Sequence, residues 1–151
     1  YHKSKINTLV PAILKLFSAN NINTLYLPRT NQEKEFSKGL DNIFVPLKPL
    51  NGLDICFYSK VVLTGSGTLA REAALMGIPS VSFYPSDLLS VDKKLISDKR
   101  MVHIRKLEEI YKYVDTNYKK SKKLSLSNMD NSKEVQISVF NKLEAILEKC
   151  R

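Results

Sequence analysis

A glycine-containing turn carries the clearest chemical signal in this sequence. Residues 61–79, VVLTGSGTLAREAALMGIP, read as a β-branched strand, a tight turn and a helix. In the turn, Gly65 and Gly67 permit a positive φ and remove side chains from the path of a ligand. Backbone N–H groups on Ser66, Gly67 and Thr68 would face an anion, most often a phosphate, at the positive end of the helix dipole. The two hydroxyls add further donors.

The turn differs from two well-known phosphate-binding signatures. A P-loop would end in Lys followed by Ser or Thr, which this turn lacks, and the GxGxxG fingerprint does not continue with Leu69 and Ala70. The simplest alternative is that Ser66 only caps the helix that follows. The turn by itself therefore leaves phosphate binding and helix capping open.

Two charged residues lie one turn into the same helix. Thr68 and Glu72 are four residues apart and share a helix face. A carboxylate there could accept both hydroxyls of a ribose whose phosphates lie on the turn, and Arg71 could reach an anionic group. The alternative is a surface ion pair, worth well under about 1 kcal/mol.

Short apolar runs alternate with helical patterns on both sides of this turn. The helix after the turn is predicted to stop at Gly77, with Pro79 just beyond. Ser4 is a candidate cap of the first helix, which Pro11 kinks or restarts. The predicted strands span 22–28, 42–46, 60–65, 79–85 and 101–105, and the predicted helices span 4–19, 31–39, 49–57, 67–76, 88–98, 106–120 and 133–149.

Five strands separated by helices predict an α/β fold. The expected form is a Rossmann-like, doubly wound parallel sheet with helices on both faces. Ligands of such sheets bind beyond the carboxyl ends of the strands. The loops after Leu27, Val45, Leu63, Tyr84 and Ile104 are therefore the expected location of a site.

The length of 151 residues fits one domain. Residues 1–120 are predicted to form a Rossmann-like nucleotide-binding domain, and 121–132 a polar linker rich in Ser, Asn and Lys. Residues 133–151 are predicted to form an amphipathic helix, which packs on this domain or on a preceding one. A composition that is 43% hydrophobic and 26% charged excludes collagen, coiled coils and wholly disordered chains.

Several further classes are excluded by what the sequence lacks. No apolar run is long enough to span a membrane, and the opening residues lack the apolar core of a secretory signal. Two cysteines make no disulfide scaffold, and two histidines add too few ligands for a metal cluster, so no metal is expected. His103 is expected to be a satisfied core or edge residue. A cytoplasmic location is the default for such a chain.

A basic segment offers a second function class. The net charge is +9, and residues 93–123 hold eleven Lys or Arg against four acids. A non-enzymatic module could use this segment for nucleic acid or another anionic partner. The simpler interpretation is a solvated helix face. Nucleic acid is disfavoured because the lysines are not interleaved with exposed aromatics.

The turn and its helix resemble a known nucleotide site. LTGSGTLAREAALMGIPSV is similar to a segment in the C-terminal domain of UDP-N-acetylglucosamine 2-epimerases and related GT-B glycosyltransferases. Ser66 to Thr68 match the diphosphate-binding Ser-Gly-Gly turn of that family, with Thr68 in place of the second Gly, and Glu72 matches the carboxylate that holds the UDP ribose. The chain resembles still more closely an uncharacterised, mostly archaeal GT-B-like family of unknown function. The matching motifs are Leu27-Pro28-Arg29, Gly67 to Pro79, Tyr84-Pro85 and Leu89 to Asp92.

The resemblance implies the C-terminal half of a GT-B architecture. Its ligand would be a nucleotide sugar of the UDP type, with no tightly bound cofactor, and its partner a preceding Rossmann-like domain. The isolated chain would then bind the nucleotide without completing an epimerase or transferase reaction. The oligomeric state stays open, a homodimer included.

Two positions depart from the epimerase pattern. Arg29 stands where the epimerases have a His, and Tyr84-Pro85-Ser86-Asp87 replaces their Arg and Glu cluster. Arg29 and Arg71 could instead hold a phosphate or carboxylate by bidentate contacts. Asp87 and Asp92 are candidate polar contacts for the sugar. Alternatively, Asp92 only caps its helix or pairs with Lys93.

Overall fold

Strands and helices alternate along the chain, as the sequence predicts. A computed structural model describes residues 8–120 and 127–149, with side-chain exposure for 8–120 and 133–148. The predicted strands are present but are shortened to two or three residues. The elements are α1 (Val10–Ala19), β1 (Thr24–Leu25), α2 (Asn31–Lys34, continued by a 3-10 turn, Glu35–Ser37), β2 (Ile43–Phe44), α3 (Gly52–Tyr58), β3 (Val62–Thr64), α4 (Gly67–Leu75), β4 (Ser80–Ser82), α5 (Ser90–Ser97), β5 (Val102–His103), α6 (Leu107–Tyr118) and α7 (Ser127–Lys149).

The strands form two parallel sheets. Strand β1 pairs with β2, and β3, β4 and β5 pair in that order. In the larger sheet Leu63 lies opposite Val81, which in turn lies opposite Val102. The α/β class with parallel strands is confirmed, whereas the expected single sheet is divided into two and three strands. Proline contributes to the short ladder of the smaller sheet, because Pro28 and Pro46 follow its strands closely and have no N–H to donate.

Helices cover the three-stranded sheet on both faces. On one face, α1 and α6 pack on Val81 through buried side chains that include Phe17 and Ile110. On the other face, α3 and α4 enclose Val62, and α5 packs against the alanines of α4. The small side chains Ala70, Ala73 and Ala74 let α4 lie close to the sheet and fix its position.

The helix ends follow from identifiable residues. Helix α1 starts at Val10 with Pro11 in its first turn, where the missing proline N–H has no helical partner to lose. The predicted cap, Ser4, lies outside the described residues. Gly77 ends α4 with a φ of 73°, as predicted, because glycine adopts this left-handed conformation without a steric penalty.

The last helix begins earlier than the sequence predicts. It starts at Ser127, so residues 127–132 of the predicted linker are helical, and 121–126 lie outside the described residues. The apolar side chains of this helix are at least half exposed: Val135, Ile137, Val139, Phe140, Leu143, Ile146 and Leu147. Neither α7 nor any other helix in the described ranges has both the length and the apolar character needed to cross a membrane.

Candidate functional site

The predicted site residues around α4 and α5 lie at the carboxyl edge of the three-stranded sheet. Strand β3 ends at Thr64 and leads directly into α4, while β4 ends at Ser82 and leads through a loop into α5. Because the strands are parallel, both helices present their N-termini at the same edge. This edge therefore collects the turn at 65–68, Arg71, Tyr84 and Asp92.

Helix α4 begins without a side-chain cap. Ser66 has the extended backbone of an N-cap residue, but its hydroxyl accepts no hydrogen bond from the helix. Its own N–H donates to Thr64 Oγ1 over 2.8 Å, so this amide is not free as the sequence suggested. Within the described residues, the N–H groups of Gly67 and Thr68 have no hydrogen-bond acceptor. The end of α4 thus keeps open donors where the capping interpretation required satisfied ones.

The two glycines of the turn serve close packing. Neither has a positive φ, so the first predicted reason for their presence is wrong, while the second, an open path for a ligand, stays a prediction. A Cβ on Gly65 would lie 3.1 Å from Phe83 Cε2, and a Cβ on Gly67 would lie 2.8 Å from Arg71 Cζ. The two glycines therefore let an aromatic ring and a guanidinium approach the backbone closely.

Arg71 and Asp92 form a bidentate ion pair between α4 and α5. Arg71 Nε donates to Asp92 Oδ1 over 2.8 Å, and Nη2 donates to Oδ2 over 2.9 Å. The Arg71 side chain is 25% exposed and that of Asp92 only 6%. Asp92 Oδ2 also accepts the N–H of Leu89 over 3.1 Å, at the start of α5. The alternative that Asp92 caps its helix is confirmed by this bond, whereas the alternative pairing with Lys93 is replaced by the contact with Arg71.

The electrostatics of the pair keep both groups charged. The hydrogen bond from Arg71 lowers the pKa of Asp92, an effect that burial opposes and the Leu89 N–H supports. The same bond raises the pKa of Arg71. A carboxylate in the first turn of α5 also interacts favourably with the positive end of that helix.

Glu72 keeps an unpartnered carboxylate. It is half-buried, and no hydrogen bond or ion pair to its side chain occurs in the described parts of the chain. Burial raises the pKa of the Cys56 thiol, and the charge of Glu72 raises it further, which places the carboxylate toward α3. Glu72 is therefore available to a ligand that reaches the α3 side of the turn.

Arg29 and Tyr84 are exposed residues at the ends of other strands. The Arg29 N–H donates to Glu33 Oε2 over 2.7 Å, and Thr30 Oγ1 accepts the Glu33 N–H over 3.2 Å. These two bonds close the turn that leads from Arg29 into α2, and the Arg29 side chain is exposed to solvent. The Tyr84 ring is 37% exposed, and its N–H lies 3.4 Å from Ser82 Oγ. Among the described residues, no hydrogen bond joins either side chain to the turn at 65–68.

Comparison with known proteins identifies the family. Residues 1–144 match the family described as "Protein of unknown function (DUF354)". The chain belongs to this family. It is also 37% identical over 110 residues to the uncharacterized protein MJ0665 of Methanocaldococcus jannaschii. That match covers 72% of this chain and 32% of the relative, so the chain spans well under two thirds of the relative's length. No solved structure matches the chain.

Membership in the DUF354 family confirms the coarser resemblance drawn from the sequence. The family is one of unknown function, and the relative just described is archaeal. Neither description names a ligand or a reaction. The function of this DUF354 chain has to be argued from the carboxyl edge itself.

Sequence reasoning missed one pair of residues at this edge. Ser82 lies opposite His103 in the sheet and is 2% exposed. His103 was expected to be satisfied, but its Nδ1 is buried without a partner within the described residues. His103 follows Met101 by two positions and so shares its face toward α4 and α5, where its charge contributes to lowering the pKa of Asp92. This alternation was visible in MVHIR.

Three lysines in the basic segment of this DUF354 chain, Lys94, Lys106 and Lys119, form ion pairs with acids of the same segment. Lys94 bonds to Asp98 over 3.0 Å, and Lys119 bonds to Asp115 over 2.8 Å. Tyr111 donates to Asn20 Oδ1, and the Tyr118 ring lies under Lys60. These tyrosines face protein partners, so the described part of the segment has the character of a solvated helix face, and residues 121–123 lie outside the described ranges.

A pocket of about 280 Å³ lies at the opposite, amino edge of the sheet. Its lining includes Gly77 to Pro79, Lys99, Arg100 and Tyr113, and none of the predicted site residues. The C-terminal end of α4 opens on it, and helix C-termini favour cations. Lys99 and Arg100 line the same pocket as this helix end, whereas the predicted site residues lie at the carboxyl edge, which remains the candidate site.

Proposed function

We propose that this chain is the nucleotide-sugar-binding domain of a GT-B-like epimerase or glycosyltransferase, with a UDP-sugar-like ligand at the start of α4. The observation that carries the proposal is the uncapped N-terminus of α4. Gly67, whose N–H is open like that of Thr68, lies against the Arg71 guanidinium at the carboxyl edge of a parallel sheet. Open helix amides next to a cation are suited to the oxygens of a diphosphate.

Each neighbouring residue has a role in this arrangement. The hydroxyls of Ser66 and Thr68 add hydrogen bonds to the phosphates, and Glu72 accepts the ribose hydroxyls. Arg71, with Arg29 as a second cation, offsets phosphate charge. This is electrostatic stabilisation of a departing nucleoside diphosphate, and it involves no acid or base from this chain.

Three observations support the GT-B-like assignment. The motifs around 66–72 and 77–79 resemble the epimerase turn, and the family relative is about three times as long as the region it shares with this chain. The strand pairings 2-1 and 3-4-5 also suit a doubly wound sheet in which β1 and β3 are neighbours without a hydrogen-bonded ladder. The rest of the relative's length would hold the domain that completes the reaction.

Thermal unfolding with a ligand panel tests this function. The panel contains UDP, UDP-N-acetylglucosamine, other nucleoside diphosphates, uridine and phosphate. At about 100 times its dissociation constant, a ligand stabilises by about 2.7 kcal/mol, which raises Tm by several degrees in a domain of this size. We expect a shift with UDP compounds and none with uridine. The absence of a shift with every nucleotide would contradict the proposal for this chain.

A further inference from the structure

We propose that Asp92 is a positioning residue, which holds the Arg71 guanidinium against the turn at 65–68 so that one of its nitrogens meets the bound diphosphate. This inference rests on the proposed function, because the anion it serves is the one assigned to the start of α4. It replaces the expectation that Asp92 contacts a sugar.

Asp92 binds one side of the Arg71 guanidinium and leaves one nitrogen without a partner. Two of its nitrogens, Nε and Nη2, are held by Asp92. The third, Nη1, has no acceptor among the described residues and lies 3.2 Å from the Cβ position of Gly67. The unpartnered nitrogen therefore lies next to Gly67, whose amide is open, and a phosphate oxygen bound there would be shared by both.

Asp92 is itself held in place by burial and by a backbone hydrogen bond. Its side chain is 6% exposed, and the backbone N–H of Leu89 holds Oδ2 over 3.1 Å. A buried carboxylate anchored to the backbone has little rotamer freedom, so the arginine bound to it is also held in place. An ordered arginine loses less conformational entropy when the ligand binds, which increases affinity without any new contact.

Gly67 has no side chain, which leaves room for the Arg71 guanidinium. The guanidinium occupies the space that a Cβ would need, with Nη2 and Cζ both too close to it. A lysine at position 71 would not replace this arrangement, because an ammonium lacks the planar fork that bonds a carboxylate on one side and a phosphate on the other. The three residues thus form one unit spanning α4 and α5.

A double-mutant cycle tests the proposal by isothermal titration with UDP and with inorganic pyrophosphate. Asp92→Asn keeps an acceptor for Leu89 but loses the charge that holds Arg71, and we expect binding to weaken about tenfold, the size of a lost hydrogen bond to a charged group. In an Arg71→Met background the same change should have little further effect, because Asp92 acts through Arg71. Asp98→Asn, which breaks an exposed ion pair of α5, is the matched control and should bind like the wild type.

Gly67→Ala gives a second route if Asp92→Asn does not fold. The added methyl displaces only the end of a flexible side chain, so the variant should fold while its guanidinium leaves the turn. It should also bind about tenfold more weakly. If the wild type binds the probes but Asp92→Asn weakens binding equally in the wild type and in Arg71→Met, the positioning role is overturned. The proposed function is then unaffected. No binding of either probe by the wild type overturns the proposed function and this inference together.

Discussion

The N-termini of α3 and α4 have similar sequences, but a side chain caps α3 and none caps α4. Asn51 precedes α3, and its Oδ1 accepts the N–H groups of Leu53 and Asp54 over 2.9 and 3.3 Å. Ser66 precedes α4 with an equally extended backbone but caps nothing. The Asn51 side chain satisfies the amides of Leu53 and Asp54 in the first turn of α3, whereas those of Gly67 and Thr68 in α4 remain open.

The difference separates a structural helix end from one that can take a ligand. Cap residues of both kinds are favoured at this position, so residue type alone does not distinguish them. What distinguishes them is Thr64, whose hydroxyl accepts the Ser66 N–H and fixes the turn from the strand side. The stability of the α4 end then rests on the Arg71–Asp92 pair, which leaves the amides to a ligand.

The largest effect on stability should come from Arg71→Met. Removing the guanidinium leaves Asp92 as a nearly buried carboxylate without its charged partner, which costs about 3 kcal/mol or more. Urea unfolding measures the loss. Arg29→Met, which removes an exposed guanidinium, is the control and should stay within about 0.5 kcal/mol of the wild type. Equal stability of both variants would show that the Arg71–Asp92 pair does not stabilise the start of α4.

A pH dependence should come from the same pair. Because the folded pKa of Asp92 lies below the ordinary value of 3.8, the unfolded chain binds more protons near that pH. The stabilisation by Asp92 is fully present above pH 3.8 and is lost as the pH falls through the lowered folded pKa. Unfolding of the wild type and of Asp92→Asn in urea, from pH 6 to pH 3, should therefore give curves that converge at the acid end. Parallel curves would contradict the assignment, since the other carboxyl groups are common to both proteins.

The sequence predicted the local parts of this site well. The strand, turn and helix over 61–79 need only neighbouring residues, and so does the end of α4 at Gly77. The ion pair was missed because Arg71 and Asp92 are 21 residues apart and meet only through the packing of α5 on α4. The contact between Gly67 and Arg71 was missed for the same cause, since the guanidinium that lies against Gly67 is bonded to Asp92 of α5.

The fold shows the same limit. Periodicity located the five strands, but it did not predict how many residues of each would pair or that β1–β2 would stand apart from β3–β5. Strand pairing depends on contacts distant in sequence, whereas the apolar pattern reports only which residues prefer burial. Likewise, Ser127 to Ser132 are polar and suggested a linker, yet they extend α7.

A moderate effect is expected from Asn51→Ala at the capped end. The substitution removes the acceptor for two amides of α3, so we expect a loss of about 1 kcal/mol in unfolding free energy. UDP affinity should not change, because these amides already have a partner and α3 supplies no phosphate contact. A change in affinity as large as that of Gly67→Ala would break the distinction between the two helix ends.

The smallest effect on stability should come from Ser66→Ala, the counterpart at the open end. The hydroxyl makes no capping bond, so the free energy of unfolding should stay within about 0.5 kcal/mol of the wild-type value. The Ser66 N–H is retained and still bonds to Thr64, so the turn keeps its shape. Binding of UDP should nevertheless weaken about tenfold, because a hydrogen bond to a charged phosphate is lost. A stability loss matching that of Asn51→Ala, with unchanged affinity, would make Ser66 an ordinary cap and α4 an ordinary helix.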